Sequence, residues 1–162
     1  MSVSERLKWQ LLLLLGLFVL DQGSKWWVEQ QPVWFLYEVI DGYFNLVQAH
    51  NFGVAFSFLA DWGSEWRTSV LLGVTMGIAL MVILWWWRER KNMGPESWIL
   101  IVILAGAAGN IFDRFYLGYV VDFIDWYVIV DGIEYHWPAF NFADAYISVA
   151  VTALLIRSFK SA

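Results

Sequence analysis

The sequence predicts an all-α membrane protein: four transmembrane helices, with a small β-hairpin element and a short interfacial segment on the outer side. Three observations predict it. The residues are 60% hydrophobic and only 15% charged, an apolar share above that of soluble domains, and the mean hydropathy is +0.55. Residues 68–87, TSVLLGVTMGIALMVILWWW, form a charge-free run of the roughly 20 residues that a spanning helix needs. Twelve Trp and seven Tyr suit the two interfacial belts, where an amphipathic ring sits at headgroup level. The 162 residues suffice for one domain, and we take 1–162 as a single integral membrane domain.

The elements follow in chain order. WQLLLLLGLFVL (9–20), after Arg6 and Lys8, has the look of a signal-peptide core, but Asp21 follows it and no A-x-A-like site does, so we expect it to be retained. Residues 33–49 read as a hairpin, VWFLYEVI and YFNLVQA, turning at Asp41-Gly42, since Asp-Gly between β-prone runs favours a tight turn. HNFGVAFSF (50–58) is too apolar for a free loop, and Gly53 allows a sharp bend or a close approach to a ligand. ADWGSEWR (60–67) reads as a short interfacial piece before the run at 68–87. SWILIVILAGAAGNIF (97–112) and AYISVAVTALLI (145–156) are the third and fourth apolar runs. Between them lies a second outer segment, about 115–140, with a turn signal at Asp131-Gly132.

Basic residues set the orientation. Arg6, Lys8, Arg88, Arg90, Lys91, Arg157 and Lys160 all lie at one end of the runs, which places that end and both termini in the cytoplasm. Lys25, Arg67 and Arg114 fall on the other side or at its boundary. The three short runs must then be lengthened outward, giving spans near 8–27, 68–87, 97–116 and 139–158. That brings in Asp21; Asn110, Asp113 and Arg114; and Asn141 with Asp144. Such groups can simply end helices at the headgroups. Three helices carrying them at one depth point instead to a site, because intramembrane ionisable residues are expensive.

Composition narrows the chemistry. A net charge of −5 argues against nucleic acid, which requires a basic face. Without Cys, disulfides, thiolate ligands and a Cys nucleophile are excluded. His50 and His136 are in no ligand spacing, so we expect no metal and no cofactor. Ser24 adjoins Lys25, but neighbouring side chains on a helix do not face each other; Ser57 has no evident base, and no G-x-S-x-G elbow is present. Carboxylates remain. Two held close share one proton: the ionised one activates water and the protonated one polarises a carbonyl. Asp144, in the first turn of the fourth helix, is favoured as the anion by the helix dipole. Its partner is one of Asp21, Asp113 or Asp122. Asp122, with apolar neighbours and no adjacent cation, is the better proton carrier, and Asp125 reads as structural. A small transporter or proton-conducting protein using intramembrane Asp residues is the rival reading, and a structural subunit joined by polar contacts is another.

AGAAGNIFDRFYLGYVVDFIDWY (105–127) and PAFNFADAYISV (138–149), with DQGSKWW (21–27) and HNFGVAFSFL (50–59), resemble, in the same order, the signature blocks of lipoprotein signal peptidase, or signal peptidase II. The resemblance covers essentially the whole chain. It implies a four-helix aspartic peptidase of the bacterial inner membrane, with both termini cytoplasmic, a periplasmic β element and an active site near the periplasmic face. It further implies cleavage of diacylglyceryl-modified prolipoproteins before the lipidated Cys, inhibition by globomycin, membrane lipids as surroundings, and a monomer. Carried over by motif, Asp122 and Asp144 are the catalytic pair. Asn51, Gly53, Asn110, Arg114 and Asn141 line the site, and Asp21, Lys25 and Asp113 support it. Ala105 stands where the family often has Gly, and Phe52 where Thr or Tyr is common; both bear on substrate preference.

Overall fold

The structure, a computed structural model, describes residues 2–53, 64–92 and 94–161. The element order is α1 (Val3–Glu29), β1 (Leu36–Ile40), β2 (Phe44–Asn51), α2 (Ser64–Glu89), α3 (Glu96–Tyr116), β3 (Val120–Val130), β4 (Ile133–His136) and α4 (Phe142–Ser161). α1 opens with a reciprocal capping box: the Ser2 hydroxyl accepts the Glu5 N–H while the Glu5 carboxylate takes the Ser2 N–H. Its 27 residues extend about 40 Å. Ser69–Glu89, Glu96–Tyr116 and Phe142–Lys160 are long and apolar enough to cross a membrane. Of these, α3 is the central helix: 56% of its most apolar stretch is buried, against 6% for α2 and 11% for α4. It packs against α1, α2 and α4. Of the expected interfacial piece at 60–67, residues 60–63 lie outside the described residues, as do Ser57 and most of 50–58; residues 64–67 already belong to α2.

The β element is larger than the sequence led us to expect. Four antiparallel strands form one sheet in the order β1-β2-β3-β4, so the second outer segment is a hairpin as well. Its tip, Asp131 with φ 54° and Gly132 with φ 77°, has the type I′ pattern that matches the twist of the flanking strands. β3 was hard to read because its first six residues are all buried; a strand covered on both faces has no polar–apolar alternation. Val121, Phe123 and Ile124 pack with Val28 of α1 in a small core. After β4 the chain runs back along β3, where Phe140 and Ile124 exchange both backbone hydrogen bonds, at 3.1 and 2.8 Å. That return delivers Asn141 and the start of α4 beside Asp122.

Two features fix the helices. At the end near Arg6, a buried polar cluster ties α1, α2 and α3: Arg6 donates to Gly94 O and to Ser97 Oγ, Gln10 to the same Oγ at 2.9 Å, and Trp86 Nε1 to Gln10 Oε1 at 3.2 Å. Midway along α3, the helix approaches α4 so closely that a Cβ on Gly106 would strike the Ala143 carbonyl and the Ile147 side chain. Backbone cannot yield as a side-chain tip can. Gly106→Ala should therefore lower stability by about 1–3 kcal/mol. Gly77→Ala, at a position with open space around it, should be neutral or stabilising by up to about 1 kcal/mol. Thermal unfolding of the two variants in detergent checks both.

Candidate active site

Asp122 stands near the start of β3 and is 2% exposed. Two carboxamides hold it. Asn51 Nδ2 donates to its Oδ2 at 2.9 Å, and Asn141 Nδ2 donates to its Oδ1 at 2.6 Å. Both amides are oriented by the backbone. The Asn51 carbonyl oxygen takes the Gly53 N–H at 2.8 Å, and that of Asn141 takes the Asp144 N–H at 3.0 Å. Gly53 reaches this bond with φ at +80°, a conformation that costs glycine little.

Asp144 lies in the first turn of α4, and Asn141 caps that helix. The Asn141 side chain accepts the Asp144 N–H while Asp144 Oδ2 accepts the Asn141 N–H at 3.3 Å. This reciprocal pair is a capping box with Asn and Asp in place of Ser and Glu. The other oxygen, Oδ1, takes the Asn110 Nδ2–H at 2.8 Å. Asn141 thus touches both carboxylates and separates their environments. Asp122 is sealed, whereas Asp144 is half-exposed in a groove of about 660 Å³. Trp126, Trp137, Phe140 and Val149 are among the groove's lining residues.

Beneath the pair, Lys25 binds α1 to α3. Its ammonium lies 2.8 Å from Asp21 Oδ2 and 2.9 Å from Asp113 Oδ2, and donates to Asn110 Oδ1 at 3.1 Å. All three of its donors are used. Asp21 Oδ1 accepts the Ala143 N–H at 2.9 Å, satisfying a free donor in the first turn of α4. Asp113 accepts from Gln22 at 2.9 Å and from the Val121 N–H at 3.3 Å, which anchors β3. Arg114 adds positive charge near Asp144, Asp122 and Asp113. With every group ionised, four carboxylates face two cations. Burial, then the Asp144 charge, push Asp122 up to about 6, against the donors from Asn51 and Asn141.

The structure brings together every residue singled out in the sequence: Asp21, Lys25, Asn51, Asn110, Asp113, Arg114, Asp122, Asn141 and Asp144, with Gly53 acting through Asn51. Asp125, three residues from Asp122, is elsewhere. It is bonded to Asn45 at 3.2 Å and to His136 at 2.9 and 3.0 Å. The sequence reading missed Gln22, which links Asp21, Gly109 O and Asp113, and Gly109, where a Cβ would meet the Asp21 carboxylate. Adjacency to Asp21 was the signal for Gln22. Ser24 is occupied locally, donating to the Asp21 carbonyl at 2.7 Å. Among the described residues no group of three or more His, Cys, Asp or Glu side chains is placed to hold a metal ion.

Comparison with known proteins gives one consistent result. The sequence pattern of the family described as Signal peptidase (SPase) II matches residues 13–160. The lipoprotein signal peptidase of Solibacter usitatus is 41% identical over 141 residues, 86% of this chain and 84% of that protein. That of Cellvibrio japonicus is 40% identical over 142 residues, 88% and 81% of the two chains. A bacterial membrane enzyme solved at 1.9 Å by the in meso method superposes with a TM-score of 0.76 at 25% identity, covering 94% of each chain.

Removing one partner of a buried ion pair leaves an uncompensated charge, at a cost of about 3–5 kcal/mol. Lys25→Met strands two carboxylates, so it should reduce stability by at least that much. Loss of folded protein after detergent extraction, or a large fall in Tm, is the expected readout, and a Tm unchanged within error would contradict the role given to Lys25.

Proposed function

The chain belongs to the signal peptidase II family, multi-pass membrane proteases that remove signal peptides from prolipoproteins, and from that premise we propose that Asp122 and Asp144 are its catalytic pair, acting as an aspartic endopeptidase that cuts before a diacylglyceryl-modified Cys. The observation that carries this reading is the shared Asn141, which holds a sealed carboxyl and an open one at a single point. A small transporter or proton conductor is not favoured, since the family matched is signal peptidase II and the relatives compared are lipoprotein signal peptidases.

In this mechanism a precursor segment lies in the groove at Asp144. The ionised Asp144 takes a proton from water, whose oxygen attacks the scissile carbonyl carbon. Asp122 holds the shared proton and donates a hydrogen bond to the carbonyl oxygen. As the C–N bond breaks, Asp144 returns its proton to the leaving nitrogen and the carboxyl product forms. The locked carboxamides constrain where the Asp122 proton sits. Each carboxyl oxygen has two acceptor positions, and one on each is taken by Asn51 or Asn141. The proton therefore occupies one of the positions left free.

We further propose that α1 also spans, so that the protein crosses the bacterial inner membrane four times as one domain, with spans near 8–27, 68–87, 97–116 and 139–158. Supporting this, the Asp21–Lys25 end of α1 meets the site while its Arg6 end meets the start of α3. Both termini are then cytoplasmic, and the sheet lies on the periplasmic side with the site beneath it. One chain supplies both carboxylates, in keeping with a monomer. Membrane lipids surround the exposed apolar helix faces, and globomycin is the expected inhibitor.

Asp122→Asn and Asp144→Asn should each lower cleavage of a lipidated precursor in detergent by at least about 10³-fold, and globomycin should block the wild-type enzyme. Asp125→Asn should stay within roughly threefold of wild type; a dead Asp125→Asn beside an active Asp122→Asn would sink the assignment.

A pH dependence follows too. A carboxyl raised in the folded state keeps a proton that the unfolded chain has lost, so its contribution to stability falls as pH rises from the ordinary value of 3.8 to about 6. Relative to Asp122→Asn, the wild-type protein should lose on the order of 2 kcal/mol between pH 4 and 7, measured as the difference in Tm between the two proteins across that range.

A further inference from the structure

The face of the sheet opposite Asp122 carries a row of polar side chains, one from each strand. Glu38 of β1 lies across from Asn45 of β2, and Asn45 across from Asp125 of β3. Asp125 then meets His136 of β4. Asn45 donates to Asp125 Oδ2 at 3.2 Å, and His136 Nδ1 sits 2.9 and 3.0 Å from the two Asp125 oxygens. His136 stacks on Tyr127, directly opposite it in the register, with ring centroids 5.0 Å apart and planes within 11°. The Tyr127 hydroxyl closes the row by accepting the Gly42 N–H at 3.0 Å.

Beyond its backbone ladder with β3, β4 has few buried side chains to hold it. All four of its residues are exposed, and it is an edge strand. An exposed ion pair contributes little as a rule, but this one differs. The Asp125 side chain is 9% exposed, so its partners cannot be replaced freely by water. The contact to Asp125 is also the largest cause of His136 being held above the usual imidazole range, ahead of that to Glu134. The residue after His136 points to the other face. Trp137 lines the groove at Asp144 together with Trp126, and its N–H donates to Trp126 O at 2.7 Å.

We propose that His136 is a positioning residue: by gripping Asp125 on the polar face, it fixes the end of β4 so that Trp137 forms one wall of the groove that receives the precursor at Asp144. The proposal rests on the reading of that groove as the substrate site. It assigns His136 no contact with the reacting atoms. Its effect falls on substrate binding through Trp137 rather than on the carboxyl pair.

The test compares His136→Ala, His136→Asn, Trp137→Ala and the double variant His136→Ala/Trp137→Ala in the full-length protein in detergent. His136→Ala should raise KM for a lipidated precursor about tenfold with kcat within about twofold. His136→Asn, which keeps a donor near the Nδ1 position, should restore KM to within about threefold. The double variant should be no worse than Trp137→Ala, since the two act as one unit. Hydrogen exchange supplies the readout that does not depend on cleavage: residues 133–137 should lose protection in His136→Ala and regain it in His136→Asn, with α3 unchanged. Unchanged exchange in that segment, or additive effects of the two single variants on KM, overturns the proposal. If the wild-type protein cleaves no precursor, the proposed function fails, and the exchange arm alone still decides whether His136 positions β4.

Discussion

Taking an ammonium group out of water costs several kcal/mol, and Lys25 is 2% exposed. It offsets that cost by giving all three donors away, two to carboxylates and one to Asn110. The rest of the site hangs on this contact. Asp21 meets Lys25 with one oxygen and uses the other on the N-terminus of α4. Asp113 likewise meets Lys25 and also accepts from Gln22 and from the Val121 N–H at the start of β3. Asn110 passes the orientation on, its oxygen toward Lys25 and its NH₂ toward Asp144. Three helices and a strand are thereby placed by a single buried cation, and the two candidate catalytic carboxyls inherit their positions from it.

The pair differs because the elements that carry it differ. Asp122 comes from a strand covered on both faces, so burial raises its pKa. Asp144 comes from a helix start, where its carboxylate is tied into the capping contacts with Asn141 and lines the groove. The difference between the two carboxyls, which the proposed acid–base chemistry needs, is thus set by the elements that carry them.

Much of this was legible in the sequence. The charge-free run at 68–87 and the interrupted runs around Asp21, Asp113 and Asp144 gave the helices, and the helix bounds match those expected to within a few residues at most ends. The convergence of three helix ends at one level followed from orientation alone, while the choice of Asp122 over Asp113 rested on the absence of an adjacent cation. The structure adds that Asp113 is already engaged, by Lys25, Gln22 and the Val121 N–H. The sheet was half seen. The Asp41-Gly42 hairpin is there, with a shorter first strand and a second that runs on to Asn51, whereas β3 was hidden by burial on both faces. The polar row through Asp125 was beyond reach, because it depends on registers between strands far apart in the chain.

The bond from Asp21 to the Ala143 N–H joins residues 122 positions apart, and β3 pairs with β2 across some 70 residues of intervening chain. Chain order therefore becomes an order in time. During synthesis the first helix and the first hairpin emerge without the partners that satisfy them, and non-local pairings of this kind form late. Only when α4 arrives can Asp21 find its donor and Asn141 bridge the two carboxyls. A half-made chain therefore lacks Asn141 and Asp144, and the arrangement that joins them to Asp122 and Asn110 is complete only once the last helix is in place.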